Sequence, residues 1–135
     1  MPNYVQNRLI IKHEDNTQLG ILATAAEQGE LFNTILPCPE GLIDTPTGKF
    51  ANPEKQAAMI KRQDENYATY GYSSDYQWRV ENWGCKWEAS DITNPILTDS
   101  ELVLEFLTAW APPTGIFKAL REQGYDVEYD WSWED

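Results

Sequence analysis

The chain has 135 residues, of which 22 are Asp or Glu and 10 are Lys or Arg, so its formal net charge is −12. A chain of this length forms one domain, residues 1–135, and needs no metal or disulfide to fold. Its negative field opposes direct contact with nucleic acid and with anionic membranes, because phosphate binding requires Lys and Arg. The acidity favours either simple solubility or a basic partner.

The first half of the chain predicts a strand, a helix, a loop and a second helix. Residues 4–12 alternate between apolar and polar side chains, as in a strand with one buried face. Asp15 and Asn16 offer helix caps, and apolar residues at helical spacing follow them as far as Gly29. The frequent Pro and Gly of residues 31–52 predict a long ordered loop, and residues 53–69 predict a surface helix that begins at a proline. The more apolar face of that helix carries Met59, Ile60, Gln63, Tyr67 and Tyr70.

Two strands are predicted in the next part of the chain. Residues 87–93 predict a short strand, which Asn94-Pro95 interrupts. Residues 101–110 are apolar on both faces, as expected for a central strand, and Trp110 is placed on the same face as Leu102. A helix is predicted after these strands, from the paired prolines at 112–113 to Gly124.

The last strand, residues 125–133, alternates most cleanly. One face carries aromatic residues and a valine, and the other face carries acids and a serine. The first face is predicted to pack, and the second to meet water or a basic partner. The acids of the second face are Asp126, Glu128 and Asp130, and Glu134 and Asp135 follow them.

The order of elements is strand, helix, insertion, strand, strand, helix, strand. This βαββαβ order predicts an α+β fold of the ferredoxin-like sandwich type. The long helical insertion, about residues 31–86, lies between the first helix and the second strand, and loops of such length usually carry structure or function of their own.

Two short segments combine tryptophan with Gly or Pro: residues 82–89 and residues 108–113. Gly and Pro fix the backbone while Trp fills a large volume, so the segments are expected to pack together and close one end of the sheet around the insertion. A structural role is predicted for Trp87, Trp110, Pro112 and Pro113. For Trp83, both packing and an exposed hot spot stay open.

These segments also carry a resemblance. Residues 1–9, residues 32–42, Trp83 to Ala89 and residues 106–113 together resemble the YubB-like proteins of phages and plasmids. The resemblance implies a ferredoxin-like domain and a mobile-element setting, but no particular chemistry. Two positions depart from the family pattern, with Tyr4 where Trp is typical and Cys85 where Thr is usual.

Signals for catalysis are weak. His13 is the single histidine, and a surface role is the commoner one. Cys85 beside Lys86 fits an activated thiolate, but a packed neutral thiol is favoured because no base is placed to assist it. The acids of the last strand fit a carboxylate pair or a metal site less well than a solvated edge. The sequence therefore predicts no catalytic residue, no metal and no cofactor.

The function expected from these observations is that of a small, acidic, non-enzymatic accessory protein in the host cytoplasm. It would bind and inhibit a host protein with a basic surface, such as a defence or nucleic-acid-processing factor, with nucleic-acid mimicry as one version. The alternatives are a small enzyme or ligand-binding domain, with its site between the insertion and the tryptophan turns, and a purely structural or dimeric module. A monomer and a homodimer are both compatible with the sequence. The expected partner surface consists of Asp126, Glu128, Asp130, Glu134, Asp135 and Trp83.

Overall fold

A computed structural model describes residues 3–93 and 95–134. The fold is α+β, with a four-stranded antiparallel sheet and helices. The elements in chain order are β1 (Tyr4–Lys12), α1 (Asn16–Glu27), α2 (Leu31–Ile35), α3 (Pro53–Tyr70), α4 (Asp75–Asn82), β2 (Ile96–Leu97), β3 (Glu101–Ala109), α5 (Thr114–Glu122) and β4 (Asp126–Trp133).

The strands lie in the order β2-β3-β1-β4, and each pairs antiparallel with its neighbour. β1 is central and pairs along its length with both β3 and β4. The register places Arg8 opposite Glu105 on one side and opposite Asp130 on the other. β4 therefore forms one edge of the sheet.

The hydrophobic core lies on one face of the sheet, against the helices. Alternate residues of β1 and β3 are buried there, because successive side chains of a strand point to opposite faces. The apolar stripes of α1 and α5 cover this face, and Leu19, Leu22, Ile116 and Leu120 are almost fully buried. The opposite face of the sheet carries exposed and half-exposed side chains.

Several predicted boundaries are confirmed. β1 spans residues 4–12, as the alternation predicted. The Asp15 carboxylate accepts a hydrogen bond from the Thr17 amide at 2.9 Å and caps α1. α3 begins at Pro53 and ends at Gly71, which has a φ of 81°. The strand predicted at 101–110 and the helix predicted after the paired prolines are present as β3 and α5.

The predictions for the insertion need two corrections. Residues 31–52 are not only a loop, because they contain α2 and a 3₁₀ turn at Glu40–Leu42. A further helix, α4, occupies residues for which no element was predicted, and the Ser74 hydroxyl caps it by accepting from the Gln77 amide. Both helices are short, so their periodicity is too brief to read from sequence.

α3 lies at the surface as predicted, but its more apolar face is buried only in part. Ile60 and Tyr67 are exposed, whereas Met59 and Asn66 are buried. Asn66 lies inside because its amide donates to the Thr45 hydroxyl at 3.0 Å and to the Ser73 carbonyl at 3.1 Å. Asn66 is therefore buried although it is polar, because its hydrogen bonds are made within the protein. A search for apolar residues at helical spacing does not find such a position.

The short strand predicted at 87–93 is reduced to one bridge between Ser90 and Leu107. Regular pairing resumes at β2, after Pro95, whose ring removes an amide donor from the ladder. Asn94 lies outside the described residues. Trp110 does not share the buried face of β3, because a φ of 70° turns the chain at that residue and leaves the side chain exposed.

Candidate functional site

The edge strand β4 presents two chemically different faces. Asp126, Glu128 and Asp130 lie on the open face of the sheet, and all three are exposed. On the helix side, only Val127 is buried, so the prediction that this whole face packs is wrong. The tyrosine and tryptophans that follow Val127 on that side are about half exposed.

The acids of β4 are only partly neutralised by the protein itself. Glu128 forms an ion pair with Lys12 at 3.6 Å, and the side chains of this pair are 61% and 39% exposed. Arg8, which lies opposite Asp130, instead pairs with Glu105 at 3.7 Å. Among the described residues, Asp126 and Asp130 form no ion pair. The open face therefore keeps a net negative charge along β4.

A shallow depression of about 490 Å³ lies on this open face. Arg8 and Glu105 line it together with Asp130 and Ser132 of β4. Asp91 and Thr93 form the far wall, and the Thr93 amide donates to the Glu105 carbonyl at 2.9 Å. Leu107 and Trp131 add apolar surface to this lining, so the depression could hold a long side chain that combines an apolar stem with a charged end.

Among residues 3–93 and 95–134, the backbone of β4 is paired on the β1 side and not on the other. The Glu134 amide donates to the Tyr4 carbonyl at 2.9 Å, so these two residues form a hydrogen-bonded pair of the antiparallel ladder. Such pairs recur at every second residue, which directs the backbone of Ser132, Asp130 and Glu128 toward β1. The N–H and C=O groups of Tyr129 and Trp131 consequently point away from the sheet, and so do those of Trp133.

The helix side of β4 carries an aromatic patch, defined as Tyr129, Trp131 and Trp133. These side chains are 41%, 40% and 52% exposed. Phe117 of α5 stacks on Tyr129 with ring centroids 4.2 Å apart, and the Arg121 guanidinium lies 5.4 Å from the same ring. Trp131 and Trp133 contact each other edge to face, at 6.1 Å. The patch is thus ordered at one end by α5 and open at the other.

Trp83 does not lie on the surface. Its side chain is 3% exposed, and its indole N–H donates to the Leu36 carbonyl at 2.8 Å. The rings of Phe32 and Trp78 contact it edge to face, at 5.6 Å and 6.0 Å. Trp83 is a core residue that ties the insertion to the turn, and its expected place in a partner surface is corrected accordingly.

Trp87 and Trp110 are the exposed members of the two tryptophan segments, at 45% and 49%. The Lys86 ammonium lies 4.3 Å from the centroid of the Trp87 ring and 5.9 Å from that of Trp110. Cation–π attraction therefore links the two segments at the surface. The proline pair helps to position this link: Pro113 is buried, and the Pro112 carbonyl accepts from the Thr114 amide at 2.9 Å.

The region between the insertion and the tryptophan turns is packed. The Glu88 carboxylate accepts the Phe32 and Asn33 amides at 2.9 Å and 2.8 Å, which fixes the start of α2. Cys85 is buried beside it, and burial and the neighbouring Glu88 charge raise the pKa of its thiol to about 12. Cys85 is accordingly a neutral packing residue. The buried contacts of Glu88 and Cys85 fill the place where an enzyme or ligand site was considered.

Other candidates for chemistry have structural partners. The His13 ring accepts the Asp15 amide through Nδ1 at 2.9 Å and lies against Tyr125, with centroids 4.8 Å apart. No group of three or more His, Cys, Asp or Glu side chains within residues 3–93 and 95–134 is arranged to hold a metal ion. Of the two acids that follow β4, Glu134 is exposed, and Asp135 lies outside the described residues.

No protein-family model, no curated protein and no solved structure matches this chain. In the part of the chain that the structure describes, no helix is long and apolar enough to cross a membrane.

Proposed function

We propose that this protein is a non-enzymatic binding protein that engages a basic surface of another protein through the acids of β4. One observation carries the proposal: Asp126, Glu128 and Asp130 project from the same face of an edge strand, and all are exposed. Successive members lie about 7 Å apart, as alternate residues of a strand do. Such a row offers regularly spaced negative charge to a partner at the margin of the molecule.

The net charge of −12 acts in the same direction. It accelerates the approach of a basic protein and disfavours nucleic acid as a direct ligand. A basic groove that normally holds nucleic acid would meet the carboxylates of β4 in place of phosphates. The proposed partner is therefore a nucleic-acid-processing or defence protein of the host cell, and the proposed effect is inhibition.

The resemblance to YubB-like proteins of phages and plasmids supplies the proposed setting, an accessory protein acting in the host cytoplasm. We also infer a ferredoxin-like arrangement of the sheet. In support, the strand order read from the β4 edge is β4-β1-β3-β2, with one helix after β1 and one after β3. In that arrangement α2, α3 and α4 form the insertion.

The test is affinity capture from the lysate of a bacterial host, at low and at moderate salt. Two variants of equal charge are compared with wild type: a β4-neutral variant, which lacks the three acids of β4, and a helix-neutral variant, which lacks three exposed acids of the helices. We expect wild type and the helix-neutral variant to retain the same basic partner, and the β4-neutral variant to lose it. Equal retention by all three proteins would contradict the proposal. The β4-neutral variant carries Asp126→Asn, Glu128→Gln and Asp130→Asn. The helix-neutral variant carries Glu27→Gln, Asp64→Asn and Glu81→Gln, which are exposed acids of α1, α3 and α4.

A further inference from the structure

We propose that the partner binds by adding an extended strand to the free edge of β4, with basic residues alternating with apolar ones. This inference rests on the proposed function and specifies the form of the partner. It is carried by the backbone of β4 together with the different chemistry of its two faces.

The free edge is long, and most of it is open. β4 has eight residues and contains no proline and no glycine, and within the described residues it pairs with β1 alone. Natural edge strands are usually shortened, bulged or covered, because their unpaired groups are a template for another strand. Among the outward-facing groups of the described chain, the Val127 carbonyl accepts the Arg121 guanidinium at 3.3 Å. The outward groups of the aromatic patch make no comparable contact within residues 3–93 and 95–134.

The two faces of β4 specify the side chains of the added strand. Residues opposite the aromatic patch would pack on half-exposed tyrosine and tryptophan rings, so apolar side chains suit those positions. The added strand is proposed to run antiparallel to β4. Residues opposite Asp126, Glu128 and Asp130 would then lie in the non-hydrogen-bonded pairs of the new ladder, where side chains approach most closely. Lys or Arg at those positions would complete ion pairs that the protein leaves open at Asp126 and Asp130.

A second copy of this chain suits the edge poorly. Two β4 strands paired antiparallel would place carboxylates opposite carboxylates, and like charges directly opposite each other are destabilising. Each copy would also carry a net charge of −12 to the interface. A basic strand from another protein would pair with the outward backbone groups of β4 and also neutralise its acids, so we infer this kind of partner.

The probe is a short acetylated peptide of alternating Val and Lys, added to the full-length protein at low salt. We expect the Tyr129, Trp131 and Trp133 amides to exchange rapidly in the free protein and to become protected in the complex. N-methylation of the Val amides, which would face β4, is expected to abolish binding. N-methylation of the Lys amides, which would face away, is expected to leave it unchanged.

The matched protein variants are Trp131→Pro and Trp131→Thr. Both remove the indole, but only proline removes the outward N–H, and proline is tolerated at an edge whose N–H does not serve the ladder. Loss of that bond and obstruction of the incoming strand should weaken peptide binding by about tenfold more in the proline variant than in the threonine variant.

The outcomes separate the two proposals. If the β4-neutral variant loses the peptide while Trp131→Pro and Val methylation have no effect, strand addition is wrong and the acidic surface alone binds. If the β4-neutral variant keeps both the peptide and the captured host protein, the proposed function fails as well. Protection of the edge amides in the free protein, together with a dimer mass in sedimentation, would identify a second copy as the occupant and overturn the inference.

Discussion

Two tryptophan pairs in this protein have the same geometry and opposite surroundings. Trp78 and Trp83 meet edge to face at 6.0 Å, and Trp131 and Trp133 do so at 6.1 Å. The inner pair is 7% and 3% exposed, whereas the outer pair is 40% and 52% exposed. Aromatic contact alone thus does not determine whether such a pair serves the core or the surface.

The difference arises from the second layer of structure. The inner pair lies among α2, α4 and the start of α5, and the Gly115 amide donates to the Trp83 carbonyl at 3.0 Å. The outer pair lies on the same side of the sheet as the helices, but it is 40% and 52% exposed, whereas Val127 is 5% exposed and Tyr129 stacks on Phe117 of α5. Where the covering helix ends, an alternating aromatic strand becomes a surface that a partner can cover.

The largest effect that tests this comparison is the loss of Trp83. Trp83→Ala removes a buried ring and its hydrogen bond to Leu36, and should lower the free energy of unfolding by about 3–5 kcal/mol. Trp133→Ala removes a ring that is 52% exposed and should cost less than about 1 kcal/mol. Urea denaturation at one pH measures both changes. Comparable losses for the two variants would contradict the assignment of core and surface.

Gly115 tests how tightly the inner region is closed. A Cβ atom built there would lie 1.8 Å from the Asn82 carbonyl oxygen, so one chain segment passes directly over the other. Gly115→Ala should therefore destabilise the protein by about 1–3 kcal/mol through overpacking, although alanine favours helices. Gly20→Ala in α1 is the matched control. Nothing lies within 4 Å of that added atom, and a gain of about 0.5–1 kcal/mol is expected.

The sequence predicted elements well where periodicity and caps agree. β1 has a clean alternation, and α3 has an Asn52 cap, a first-turn proline and a terminal glycine, so their bounds followed from local rules. α2 was missed because its first amides are satisfied by Glu88, 56 residues further along the chain. No local pattern reveals a cap supplied from such a distance.

The candidate site was predictable in part. The one-sided placement of acids on β4 follows from alternation, and the structure gives the exposure that alternation leaves open. The roles of the tryptophans did not follow from sequence. Trp83, Trp87 and Trp110 are adjacent to similar turn residues, yet only Trp83 is buried. The positive φ of Trp110 turns its side chain outward, and Trp87 lies at the surface against Lys86. Neither feature can be read from the sequence.

Removing the Glu88 carboxylate should have a smaller effect than removing the Trp83 ring. Glu88→Ala leaves the Phe32 and Asn33 amides without acceptors, which costs about 1–3 kcal/mol when such donors stay buried. Denaturation measures the loss, and amide exchange locates it, since the α2 amides should exchange faster while those of β4 stay unchanged. Faster exchange throughout the sheet would contradict a local role. Exposed Glu81→Ala serves as the control.

The smallest expected effect is a pH dependence of stability that comes from Glu88. Burial raises the pKa of Glu88 above its ordinary value of 4.5, although the amides of Phe32 and Asn33 act in the opposite direction. The folded protein therefore binds this proton more tightly than the unfolded chain does, and the free energy of unfolding falls as pH rises through the window above 4.5. Glu88→Gln cannot titrate, so the stability of wild type relative to this variant should decline across that window. A relative stability that rises there would mean that the two amide bonds outweigh burial, and that the carboxylate is held as an anion.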